Sequence, residues 1–357
     1  MSLKEIAKMT GVSVSTVGRI LNDPTHKCQD EDVKRRVLEA AREISYIPNA
    51  SARSLKSGQA HFEKIYHINI LLTRFADEAG DPFYDELLIL LEQELRNSGC
   101  IINNVWHSAE LSDSRKNDRK ELESIVGSLY SDNEHRSDGL IIIGKITKRA
   151  LALLKTYEKN MISINRNPNN SEVDEVICDG RKLAREAVAY LAKLGHNKIG
   201  YVGDCYNEAR FMGYQAAIGE FHLTNDLDYI YDTTPNESHG LSAMEYFRGL
   251  SDPPTAIYCA NDILAVGMIK GLGKRRHGGY YPSIISCDDI DAAQYTKPML
   301  TTISLPKFEM SRFALMLLLD RIKGGHKTVS RLELGGTLIV RESCRPLSDM
   351  NEPEYYI

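Results

Sequence analysis

Leu3–Asn22 reads LKEIAKMTGVSVSTVGRILN. Leu3, Ile6 and Ala7 share one apolar face at helical spacing, and Gly11 supplies the left-handed residue that stops such a helix. Ser13 stands where an N-cap belongs, and Val17, Ile20 and Leu21 line the inner face of a second helix. Two short helices meeting at Gly11-Val12 make a helix-turn-helix, whose second helix turns its N-terminal residues toward base edges in the major groove. Here those residues are Ser13, Val14, Ser15 and Thr16, with Arg19 one turn on and Asn22 at the end. A small helical packing module would account for the apolar faces but not for the whole pattern. A third helix opens at Gln29 or Asp30 and carries Val33, Val37, Ala40, Ala41 and Ile44 inward. Tyr46-Ile47-Pro48 ends it, because the residue before a proline avoids the helical region.

Charge agrees with this reading. Residues 1–60 hold ten Lys and Arg against seven Asp and Glu, a net +3, so with −5 overall the remainder carries −8. A basic head on an acidic body suits a head that meets a polyanion and a body that does not. The 357 residues suggest two or three domains. With 42% hydrophobic and 26% charged residues, and a mean hydropathy of −0.32, they can bury a large core. That excludes disordered, collagen-like and coiled-coil classes. No apolar run nears the roughly 18 residues of a membrane span, and MSLKEIAKMTG lacks the apolar centre of a signal peptide. A cytoplasmic protein without membrane contact is expected. Cysteines 28, 100, 178, 205, 259, 287 and 344 are dispersed with no C-x-x-C pair, which predicts buried free thiols, no disulfide framework and no zinc site.

Residues 49–58, NASARSLKSG, read alone as a small, polar linker with enough helix formers to become one turned helix when held. From about residue 62 strands and helices alternate. Strands are expected at Ile65–Leu72, Ile101–Val105, Gly139–Ile143 and Met161–Ile164, with a helix at Phe83–Ser98. A second series begins with strand Val176–Cys178. It continues through helix Arg181–Leu194, strand Ile199–Val202, helix Arg210–Phe221, strand Ala256–Ala260, helix Asp262–Arg275 and strand Ser283–Cys287. Short Val/Ile strands between helices predict α/β architecture with two doubly wound lobes of parallel sheet, whose sites lie at the carboxyl ends of the strands.

The helix-turn-helix, Tyr46-Ile47-Pro48-Asn49 and Ala52-Arg53-Ser54-Leu55-Lys56 resemble the lac/gal repressor family of bacterial regulators. So do Leu194-Gly195-His196-Asn197-Lys198-Ile199, Ala260-Asn261-Asp262-Ile263-Leu264-Ala265-Val266-Gly267, and Asp288-Asp289 followed by Pro298-Met299-Leu300-Thr301-Thr302-Ile303. Asp81-Pro82-Phe83-Tyr84 and Gly144-Lys145 resemble the repressors of galactoside operons. The chain departs at Gly18, where most members carry serine, and in a longer loop over Asp23–Gln29. The resemblance implies a helix-turn-helix head at 1–48, a hinge helix at 49–58 and a periplasmic-binding-protein-like body. The N-terminal lobe is expected at 62–175 and 305–325, and the C-terminal lobe at 176–303 and 326–345. It also implies that Asn49, Ala52, Arg53, Leu55 and Lys56 meet DNA, with Leu55 wedged into a base step from the minor groove. By itself Leu55 is one stray apolar residue in a linker.

The body holds no G-x-G-x-x-G, P-loop or G-x-S-x-G, and no nucleophile stands beside a base, so neither an enzyme nor a cofactor is expected. What it offers are polar and aromatic residues at strand ends. Asp81, Phe83 and Tyr84 follow the first strand. Asn165 and Arg166 follow the strand ending at Ile164, Arg210 opens a helix after Tyr201-Val202-Gly203, and Asn261 and Asp288 each follow a strand of the second series. Each alone reads as readily as a helix cap or a surface charge. The resemblance implies that together they contact a small effector between the lobes. Lys145 reads equally as pocket or solvated, and Trp106 as core or interface packing. The expected partners are double-stranded operator DNA, a sugar effector such as a galactoside, and a second copy of the chain. The alternatives are a purine or phosphoprotein corepressor, or a sugar receptor without a regulatory role. Residues 345–357, RPLSDMNEPEYYI, hold one leucine and no heptad, so no tetramerising coiled coil is expected.

Overall fold

The structure is a computed structural model. It describes residues 3–22, 32–33, 36–37, 40–41, 64–73, 81–112, 119–131, 137–168, 172–206, 208–272 and 280–349. They belong to two units, Met1–Lys64 and Ile65–Ile357.

In the first unit α1 (Leu3–Thr10) and α2 (Val14–Asn22) are joined as expected. Gly11 takes φ +70°, the conformation only glycine adopts without strain. Val12 N then donates to Ala7 O at 3.2 Å. Ile6, Val17 and Ile20 are buried against Val37, Ala40 and Ala41 of the third helical stretch. The residues expected to form the hinge contacts, Asn49, Ala52, Arg53, Leu55 and Lys56, lie outside the described residues.

The second unit holds two six-stranded sheets. Its first lobe contains β1 (Tyr66–Leu72), α3 (Pro82–Asn97), β2 (Cys100–His107), α4 (Arg119–Leu129), β3 (Gly139–Ile143), α5 (Lys148–Tyr157), β4 (Met161–Asn165) and β5 (Asp174–Ile177). The second contains α6 (Gly180–Lys193), β6 (Ile199–Gly203), α7 (Ala209–Glu220), β7 (Ile230–Asp232), α8 (Glu237–Arg248), β8 (Ala256–Cys259), α9 (Asp262–Leu272), β9 (Ser283–Asp288) and β10 (Thr301–Ser304). The chain then returns through α10 (Lys307–Ile322) and β11 (Arg331–Glu333) to β12 (Thr337–Ile339). Sheet orders are β11-β5-β4-β3-β1-β2 and β12-β10-β9-β8-β6-β7. The pairs are parallel except β10 with β12. The doubly wound α/β expectation holds, with strands buried on both faces, such as Leu140–Ile143 and Ala256–Cys259. One apolar cluster runs from Ile68 and Leu91 in the first lobe to Tyr201 and Ile285 in the second.

Two assignments need correction. The strand expected to open the second series, Val176–Cys178, is Asp174–Ile177 and belongs to the first sheet, where Ile162 faces Asp174 in register. Residues 326–345 do not all join the second lobe, because β11 pairs with β5. Asp174 and Glu175 look like surface residues in the sequence, yet both are fully buried. Asp174 accepts from Arg321 Nη2 at 2.7 Å and from Ser330 N at 2.8 Å, contacts that come from 147 and 156 residues away. No local pattern encodes such partners. The helices α4, α5, α8 and α10 also lie beyond the elements read from periodicity. The chain passes between lobes after β5, after β10 and between β11 and β12.

Candidate DNA-reading surface and effector cleft

On the head, Ser13 caps α2: its Oγ accepts from Thr16 N at 3.2 Å and lies 2.8 Å from Thr16 Oγ1. Ser13, Val14, Ser15 and Arg19 are exposed, with Val14 at 37%. An exposed valine and a hydroxyl at the start of a helix suit thymine methyls and base or phosphate acceptors. Thr16 is half-buried, its hydroxyl directed at Ser13. Asn22 ends α2, and its side chain lies outside the described residues.

On the body, strand ends from both lobes converge. Asp81 is the N-cap of α3, its Oδ1 accepting from Phe83 N at 3.1 Å, with Pro82 in the first turn. Phe83 and Tyr84 are thereby turned inward, both buried, with rings edge to face at 5.2 Å. Arg166, at the end of β4, sends Nη2 to Tyr84 Oη at 3.1 Å and pairs through Nη1 with Asp288 Oδ1, at the end of β9. This ion pair joins the two lobes. Burial pushes the Asp288 carboxyl up to about 7, against the pull of Arg166 and Arg210. Burial opposes the charge on Arg166 as well, but Asp288 holds the guanidinium protonated.

Asn165 is turned onto its own loop. Its Oδ1 accepts from Arg166 N at 2.7 Å and Asn167 N at 3.0 Å, and its Nδ2 donates to Asn167 O at 2.6 Å. It shapes the turn that presents Arg166. Arg210 donates from Nε to Glu208 at 2.9 Å and from Nη1 to Ala260 O at 2.6 Å, which braces the loop carrying Asn261. Asn261 Oδ1 accepts from Leu264 N at 3.2 Å, capping α9, while the buried Nδ2 has no partner.

Lys145, which the sequence left open between pocket and solvent, reaches across the lobes after β3: its Nζ donates to Tyr206 O at 2.9 Å and lies 3.7 Å from Asp204. The structure adds residues that sequence reasoning did not mark. Asn167 Oδ1 accepts from Ala209 N at 2.7 Å, a further tie between lobes. Glu208 is fully buried beside Arg210, and the Tyr258 hydroxyl is buried without a hydrogen-bond partner. Tyr258 carried a signal: a tyrosine inside the otherwise apolar β8 needs somewhere to put its hydroxyl. Glu208 carried none, since a glutamate before a helix reads as a surface cap. Trp106 packs edge to face on Tyr130 at 4.9 Å. The described cysteines are free thiols; Cys205 is half-buried and the others are buried. Among the described residues no helix is long and apolar enough to cross a membrane.

A helix-turn-helix head followed by two parallel-sheet lobes with polar residues converging at their strand ends defines a DNA-binding regulator with an effector-binding body. Residues 2–49 match the bacterial regulatory proteins of the lacI family, and residues 188–344 match a periplasmic binding protein-like domain. The HTH-type transcriptional repressor PurR of Aliivibrio salmonicida is 29% identical over 355 residues, covering 97% of this chain and 99% of its own. A transcriptional regulator CelR–cellobiose complex superposes with a TM-score of 0.65 at 20% identity, covering 96% of this chain and 100% of its own. A LacI family regulator from Enterococcus faecium with bound ribose gives 0.62 at 25% identity, over 79% of this chain and 99% of its own. The chain belongs to the lacI family and is a DNA-binding transcriptional repressor.

Proposed function

We propose that operator binding by this repressor is controlled by a neutral sugar, galactosides first among them, seated between the lobes against Phe83 and Tyr84. Asp81, Asn165, Arg166, Arg210, Asn261 and Asp288 hold it or shape its surroundings. The observation that carries this reading is the Asn261 amide. Asn261 is 1% exposed and its Nδ2 has no partner, a condition that costs about 1–3 kcal/mol. An acceptor hydroxyl at that place satisfies it. An aromatic ring for the apolar face of a sugar and a carboxylate for its hydroxyls complete the donor and acceptor set. The cellobiose and ribose complexes of related regulators support the same ligand class.

The repressor acts as a homodimer, because a two-fold axis matches a near-palindromic operator. Ile89 on α3 and Phe308 and Met316 on α10, two helices packed on each other, are exposed and offer apolar surface for it. Residues 49–58 form the hinge, with Leu55 as the minor-groove wedge. The effector favours one lobe arrangement over the other, and that difference in affinity moves the operator equilibrium.

A thermal-shift screen of monosaccharides, disaccharides and nucleobases, followed by operator titration with the hits, tests this. A ligand at 100 times its dissociation constant adds about 2.7 kcal/mol. A sugar is expected to stabilise the chain and shift operator affinity, and Asn261→Ala to weaken that sugar about tenfold or more. Stabilisation by a nucleobase alone overturns the sugar and leaves the repressor standing.

A further inference from the structure

The aromatic platform of the cleft is covered by the protein itself. The Arg166 guanidinium carbon lies 4.6 Å from the centroid of Phe83 and 5.5 Å from that of Tyr84. Lys307 Nζ lies 5.7 Å from the same Phe83 centroid. Arg166 also donates to Tyr84 Oη and pairs with Asp288, and Phe83, Tyr84, Arg166 and Asp288 are each at most 5% exposed. A guanidinium is planar, weakly hydrated, stacks on rings and forks a carboxylate. These are the two services a bound sugar would ask of the same groups: a ring under its apolar face and an acceptor for its hydroxyls. The backbone shows that Asp288 is aimed deliberately, since it sits at φ 132° and Asp289 at φ 52°, both uncommon for residues with a side chain. Arg341 Nη2 donates to Asp289 Oδ1 at 2.7 Å and pins that corner.

We infer that Arg166 is an internal occupant of the effector cleft, holding the Phe83 face and the Asp288 carboxylate that a ligand must take from it. This rests on the cleft being the effector site and deepens that reading. Arg166 comes from the first lobe and Asp288 from the second, so its displacement also removes one of the ties between them. The ligand that succeeds is donor-rich toward Asp288 and apolar or cationic toward Phe83. Neutral sugars and amino sugars meet that description. Sugar acids and sugar phosphates, whose anionic groups only accept, do not.

The test uses the full chain and two probes, methylguanidine and methyl β-galactoside. In Arg166→Ala, millimolar methylguanidine is expected to fill the vacated place and raise the melting temperature. The parent and Arg166→Ala/Asp288→Asn should not respond. An Arg166→Ala chain that folds only with methylguanidine present gives the same result. If it does not fold even then, Arg166→Met decides, because it keeps volume and cannot pair with Asp288. Its affinity for methyl β-galactoside is expected to rise about tenfold or more over the parent; an unchanged or weaker affinity overturns the inference. Equal methylguanidine responses in parent and Arg166→Ala, or none in either, overturn it as well. If methylguanidine behaves as expected while no sugar shifts any of the chains, the occupancy of the cleft stands and the sugar reading falls.

Discussion

Arg210 is 1% exposed and Glu208, its partner, is fully buried. Burial works against the charge on Arg210 and Glu208 holds its guanidinium protonated, so neither partner of this buried pair can be removed alone at low cost. Arg210→Ala is therefore expected to destabilise the body by about 3–5 kcal/mol in urea unfolding. Glu208→Gln/Arg210→Met should recover much of that, since it leaves no unpaired buried charge. A double variant no more stable than Arg210→Ala would mean that the packing of Arg210, and not its charge, is what the site needs. The exposed Arg19 behaves differently. Among the described residues it holds no hydrogen bond or ion pair, so Arg19→Ala should keep the parent melting temperature. Operator affinity should fall by about 1–3 kcal/mol if it reads a base, or the salt slope by about one if it meets a phosphate. Operator titrations at several salt concentrations check both.

At the scale of elements, α8 and α9 cross where Gly240 meets Gly267. A Cβ on Gly240 would lie 2.1 Å from Leu264 O, and one on Gly267 2.0 Å from Glu237 O. Backbone cannot yield as a side-chain tip can, so the helices must separate. Gly267→Ala is expected to cost about 1–3 kcal/mol in chemical unfolding. The loop between α10 and β11 carries a pH-dependent brace. His326 Nδ1 faces Asp320 at 2.6 Å and Nε2 faces Asp174 at 2.8 Å. Two carboxylate acceptors need two N–H donors, and Asp320 and then Asp174 raise the imidazole above its usual value. The folded state therefore binds the proton more tightly than the unfolded chain. Its stabilisation is full below the ordinary histidine value of about 6.5 and is lost as pH rises through the raised one. His326→Gln should lower the melting temperature most at about pH 6, and the gap to the parent should narrow toward about pH 9. A gap independent of pH would show that the imidazolium contributes nothing.

For the whole molecule, the division after Lys64 matters most. The unit from Ile65 onward has its own continuous core, and the residues proposed to hold the effector all lie within it. A chain reduced to residues 61–357 is expected to fold, to bind effector as tightly as the full chain does without DNA, and to lose operator binding entirely. Calorimetry and a gel-shift titration read these outcomes. With the full chain, linkage adds a stricter requirement: the factor by which effector weakens operator must equal the factor by which operator weakens effector. Unequal factors would show that lobe arrangement alone does not connect the two sites.

Local chemistry was legible from the sequence by itself. Gly11, Ser13 and the spacing of Ile6, Val17 and Ile20 specify the helix-turn-helix, because turn, cap and apolar face are all decided within a few residues. Val/Ile strands between amphipathic helices specify parallel sheets, and strand ends marked by Phe83, Arg166, Asn261 and Asp288 point to where chemistry gathers. Only the tertiary structure decided which sheet Asp174–Ile177 joins, since the buried Asp174 carboxylate finds Arg321, His326 and Ser330 more than 140 residues away. It also decided what the strand-end residues do. Asp81 caps a helix, Asn165 closes a turn, and Arg166 lies across Phe83 to reach Asp288, 122 residues on and in the other lobe. Sequence proximity fixes caps and turns; long-range pairing of charge depends on how two lobes are brought together, which no local pattern carries.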